Sequence, residues 1–76
     1  MIHVRLYANL TRPQDPSQAE FRVPARPGLT ARDVVVEAGV RAGDVSIVMI
    51  NGRSAELDSP LSEGDRLGLF PAISGG

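Results

Sequence analysis

The sequence predicts an α+β fold in which one helix lies across a mixed sheet, and three observations carry that expectation. The opening "IHVRLY" alternates apolar and polar residues with the period of a half-buried strand. Residues 31–38 repeat apolar side chains at helical spacing. Beyond them come two further apolar runs separated by turn residues. The expected order is β-β-α-β-β-β.

Ile2, Val4 and Leu6 share one face of the first strand, with His3, Arg5 and Tyr7 on the other. Residues 9–18 carry Pro13 and Pro16 among mostly polar residues and read as a loop. "AEFRVP" alternates again through Phe21 and Val23, before Pro24 and the turn-like Arg26-Pro27-Gly28, which suggests an N-terminal hairpin. Thr30, followed three residues later by Asp33, can satisfy orphan amides at a helix start. Ala31, Val34, Val35 and Ala38 then form one apolar stripe, and Gly39 supplies the stop. The Val34-Val35-Val36 run is a poor helix former, so the helix depends on contact with a sheet.

Residues 45–50 are apolar except for Ser46 and end at Asn51-Gly52, a strong hairpin signal. This run predicts a central strand buried on both faces. After a short return through residues 53–56, Ser59-Pro60 and Glu63-Gly64-Asp65 read as turns. Leu67 and Leu69 form the inner face of a final strand ending at Phe70. The arrangement resembles the ubiquitin-like β-grasp, in which the last strand lies centrally beside the first. Residues 1–70 are then the body, and residues 71–76 project as a tail.

A chain of 76 residues forms one domain and buries only about 60% of its unfolded surface, which leaves no room for a deep active site. The absence of cysteine excludes disulfides, thiolate metal sites and a nucleophilic thiol. "MIHVRLYANL" lacks the basic and long apolar regions of a secretion signal, and no segment approaches the roughly 20 apolar residues of a membrane span. A cytoplasmic location is expected, with no membrane partner. All the basic residues are arginines, eight of them against nine acids, for a formal charge of −1. That balance argues against a nucleic-acid partner. The lack of lysine fits an arginine-biased genome, or a protein whose activated C-terminus gains by offering no amine to its own kind.

The last residues, Gly75 and Gly76, arise as a pair by chance in roughly 0.5% of chains at ordinary glycine frequency. A carboxylate must be activated before it can act as an acyl donor, and a partner enzyme would hold it against the α-phosphate of ATP. Glycines suit a narrow tunnel because they carry no side chain and adopt backbone angles denied to others. Pro71 would stiffen the exit from the last strand.

"NGR" followed by "SPLSEGDRLGLFPAISGG" is similar to the C-terminal half of the molybdopterin synthase small subunit and its sulfur-carrier relatives. That family commonly has an Asn-Gly turn, a Pro-Leu, a Gly-Asp before the final strand, then Phe-Pro and a Gly-Gly end. "VRLYANL" also resembles its first strand, with an aromatic residue at Tyr7. The usual tail reads Phe-Phe-Pro-Pro, whereas Leu69 and Ala72 stand at its first Phe and second Pro here.

The resemblance implies a sulfur carrier without an active site of its own, serving as the sulfur-donor subunit of molybdopterin synthase. An E1-like enzyme, bringing ATP and Mg²⁺, adenylates Gly76; a sulfur donor displaces AMP, and the thiocarboxylate delivers sulfur within a larger subunit or another acceptor enzyme. Gly75, Ser74, Ile73 and Pro71 thread the tail, while Tyr7, Phe70 and Ile73 contact partners. The chain itself binds no cofactor or metal. His3 reads as an outward strand residue, Asp33 as a cap and Asp65 as a turn former. Three alternatives stay open: a carrier for thiazole, cysteine or tRNA sulfur; a ubiquitin-type protein modifier; and a β-grasp binding module with no tail chemistry.

Overall fold

A computed structural model describes residues 1–8, 10 and 19–71. The first strand, β1 (Ile2–Leu6), buries Ile2, Val4 and Leu6 and exposes His3 and Arg5, as its alternation requires. It pairs antiparallel with β2 (Glu20–Val23), where Phe21 and Val23 pack against the core. Most of the loop expected between these strands lies outside the described residues.

The helix, α1 (Ala31–Glu37), is bounded by local chemistry at both ends. Thr30 Oγ1 accepts from the Asp33 amide at 3.3 Å, and the Asp33 carboxylate accepts from the Thr30 amide at 3.0 Å, a complete capping box. The amides of Ala31 and Arg32 donate to the carbonyls of Ser59 and Leu57, so a distant segment satisfies two more orphan donors. At the other end Gly39 adopts φ +81°, which lets its amide reach the Val36 carbonyl and the Val40 amide reach that of Val35. Ala31, Val34, Val35 and Ala38 are all buried against the sheet.

A short 3₁₀ turn (Ala42–Asp44) leads into β3 (Val45–Ile50), then β4 (Arg53–Ala55) and β5 (Arg66–Pro71). Asn51 at φ 54° and Gly52 at φ 79° make the tight β3–β4 turn, one of the left-handed pairs that match strand twist. The sheet order is β2-β1-β5-β3-β4, with β1 and β5 parallel and the other pairs antiparallel. The last strand is therefore central and adjacent to the first, as in the ubiquitin-like β-grasp.

Two expectations need correction. The run at residues 45–50 is not buried on both faces: Val45 and Val48 face the core, but Ser46 and Ile47 are exposed, Ile47 at 43%. In the sheet β3 is an interior strand, as expected, between β5 and the edge strand β4. Among the described residues a single helix covers a single face of the sheet, so the opposite face stays open whatever its hydrophobicity. Likewise β5 runs one residue beyond Phe70, with Pro71 opposite Val45.

Candidate functional site

The open face of the sheet is shaped by β5 and its two neighbours. Along β5, Leu67 and Leu69 point into the core, which turns Arg66, Gly68 and Phe70 outward. The register sets Arg5 of β1 beside Gly68, and Met49 and Ile47 of β3 opposite Gly68 and Phe70. Just past β1, the Tyr7 amide donates to the Leu69 carbonyl at 2.9 Å and extends the parallel pairing by one residue.

The two aromatic rings assigned to partner binding meet there. Tyr7 and Phe70 are half-buried and stacked, with centroids 4.2 Å apart and planes 9° from parallel. The Arg5 guanidinium carbon lies 5.1 Å from the centre of the Tyr7 ring, while its Nη1 makes an ion pair with Glu20 at 3.2 Å. A Cβ at Gly68 would come within 3.3 Å of Tyr7 Cε2, 3.6 Å of Phe70 Cε1 and 3.8 Å of Met49 Cβ. The missing side chain is the space in which the rings lie. With them, Met49 and Gly68 line an open concavity of about 800 Å³ that also reaches His3, Arg22 and Arg66.

At the tail root, Val45 pairs with Pro71 and Ile47 with Phe70, so the register skips Ser46. Pro71 has no amide to donate, which suits a position where the ladder is already interrupted. Gly76, Gly75, Ser74 and Ile73 lie outside the described residues. His3 is exposed on the outward face, Asp33 completes the helix cap, and Asp65 takes part in a turn by accepting from the Ser62 amide at 2.8 Å. No group of three or more His, Cys, Asp or Glu side chains capable of holding a metal occurs among the described residues.

Sequence reasoning did not find Gly68, Met49 or Ile47. A glycine inside the apolar alternation "RLGLF" was the available signal, since glycine in a strand often marks close approach by another group. Met49 and Ile47 were hidden by reading β3 as doubly buried.

A five-stranded mixed sheet, one helix and an exposed face leading to the end of the central strand define a ubiquitin-like β-grasp protein. The sequence matches the Mut7-C ubiquitin family over residues 1–75, and the chain belongs to that family. No significant relative is found among proteins of curated function. Among solved structures the chain is similar to SAMP1 from Haloferax volcanii, with 25% identity, 99% of this chain and 98% of that chain covered, and a TM-score of 0.70. It is also similar to a putative molybdopterin converting factor subunit 1 from Pyrococcus furiosus, at 23% identity, 95% and 97% coverage and a TM-score of 0.67. The complex of molybdopterin-converting factor subunits 1 and 2 from Helicobacter pylori contains a chain 20% identical, with 99% and 97% coverage and a TM-score of 0.62. The chain is thus ubiquitin-like in both family and fold. No described helix is long and apolar enough to cross a membrane.

Proposed function

We propose that this protein is a sulfur carrier activated at the carboxylate of Gly76 and that it donates sulfur in molybdopterin synthesis. The observation that carries the reading is the Gly75-Gly76 pair, separated by a few residues from the end of the central strand, on a ubiquitin-like body of this family. In the activation step a Gly76 carboxylate oxygen attacks the α-phosphorus of ATP and pyrophosphate leaves. Hydrosulfide, or a donor equivalent to it, then attacks the acyl carbon; the bond to AMP breaks and a thiocarboxylate remains. ATP and Mg²⁺ belong to an E1-like adenylating enzyme, which holds the carboxylate in reach while the apolar part of the open face provides docking. A larger acceptor subunit is supported by the two-subunit complex of the Helicobacter pylori relative. The cytoplasm is the proposed compartment.

The likeness to small archaeal modifier protein 1 favours a second reading, in which the activated carboxylate is transferred to a lysine amine of another protein. Intact-mass and peptide mass spectrometry of protein isolated from its own host distinguishes the two. Exchange of one C-terminal oxygen for sulfur at Gly76 supports the carrier; a Gly76 isopeptide on a target lysine supports the modifier. A tail that stays a free carboxylate in the host, and also with an E1-like enzyme, ATP and sulfide when that enzyme thiolates another carrier, overturns both.

A further inference from the structure

The open face carries a basic feature that tail chemistry does not use. Arg22 on β2, His3 on β1 and Arg66 on β5 are direct cross-strand partners, all exposed and all lining the same concavity. At a strand spacing of about 4.8 Å, this row spans about 10 Å. Among the described residues neither arginine of the row has a carboxylate partner, whereas Arg5, Arg26 and Arg32 are paired with Glu20, Glu37 and Asp58. The two carboxylates preceding Arg66 are occupied: Glu63 binds the N-terminal ammonium, and Asp65 accepts from Asn51 Nδ2 and the Ser62 amide. Four residues along β5 from Arg66, about 13 Å at strand rise, lies Phe70 with its partner Tyr7.

We propose that this face docks an acidic segment of a partner protein, which crosses the strands along the row and turns at Arg66 to follow β5. The segment's carboxylates meet Arg22, His3 and Arg66, and an apolar side chain about four residues further on packs against Met49, Phe70 and Tyr7. Charge selects an acidic occupant, and the apolar end of the same concavity selects one that is also partly apolar. The size of the row points to a protein segment instead of a nucleic acid. Phosphate-backbone binders make about 6–10 phosphate contacts, whereas the row offers three groups on a chain of net charge −1, with Glu20 beside it in the next register position. The inference rests on the row and the concavity, not on the sulfur reading.

The test is an NMR titration of the isotope-labelled full chain with the capped peptide Glu-Asp-Glu-Ser-Gly-Leu-Phe. The amides of His3, Arg22 and Arg66 should shift saturably, and affinity should fall as salt is raised. Paired Arg22→Glu and Arg66→Glu substitutions should weaken the peptide about tenfold or more, with the spectrum otherwise preserved. Paired Arg41→Glu and Arg53→Glu substitutions, elsewhere on the molecule, should leave it unchanged. Absence of saturable shifts at these amides, equal loss in both double variants, or tighter binding of a thymidine oligonucleotide than of the peptide would each overturn the proposal. Because the readout does not involve the tail, an inert Gly76 leaves a positive result standing, and a thiolated Gly76 does not rescue a negative one.

Discussion

The Tyr7 ring lies parallel to that of Phe70 at 4.2 Å, joining the residue just past the first strand to the penultimate residue of the last. The contact ties two chain segments distant in sequence at the place where the tail leaves the sheet. It also offers an apolar surface to a partner without a loose side chain.

A double-mutant cycle with Tyr7→Leu and Phe70→Leu should give a coupling of about 0.5 to 1.5 kcal/mol in urea unfolding, the range for an aromatic pair beyond its area burial. Additive losses would mean that the rings contribute separately. Phe70→Ala should also weaken binding to the activating enzyme by about 1 to 3 kcal/mol, with a smaller loss of stability.

Gly68→Val should destabilise the protein by about 1 to 3 kcal/mol, because the first added carbon already approaches Tyr7 Cε2 to 3.3 Å and Phe70 Cε1 to 3.6 Å, so the rings must shift to admit it. The ring-current shifts of the Tyr7 protons report the displacement. Parent-like shifts together with parent-like stability would show that the rings do not need the gap.

Asn51→Ala should cost about 1 to 2 kcal/mol. It removes the Nδ2 bond to Asp65 at 2.9 Å and the Oδ1 bond from the Arg66 amide at 3.0 Å, and it leaves alanine at φ 54°. Asn51→Gly, which accepts the angle but lacks both bonds, should lose less. Denaturant midpoints at constant m-value give the ranking.

Adding one alanine after Gly76 moves the carboxylate about 3.5 Å along an extended tail, further than a near-attack geometry tolerates. Thiocarboxylate formation with the E1-like enzyme should collapse while the thermal midpoint stays put. Gly76→Ala keeps the reach but places a methyl group in the proposed tunnel, so activation should fall while docking through the body persists. Thiolation of both variants at the parent rate would leave the Gly-Gly end without a role.

Local chemistry was enough to read much of this protein from its sequence. Helix α1 was legible because its cap, stripe and stop are set by neighbours in the chain: Thr30 with Asp33, the apolar positions from Ala31 to Ala38, and Gly39 at φ +81°. The same holds for β1, whose alternation assigns each side chain to a face, and for the Asn51-Gly52 turn. Resemblance, added to these signals, was sufficient for the β-grasp fold and the ubiquitin-like family.

What the tertiary structure decided was which surfaces remain uncovered and which distant residues share them. The apolar run at residues 45–50 has the same hydrophobicity whether one or both of its faces are buried; only the presence of one helix on one side leaves Ile47 in solvent. Gly68 becomes a ring cradle only when parallel pairing with β1 brings Tyr7 alongside, and Arg22, His3 and Arg66 become a row only through the β2-β1-β5 order. Such juxtapositions depend on strand order and register, long-range choices fixed by burial of the whole core, and no local pattern in the chain encodes them.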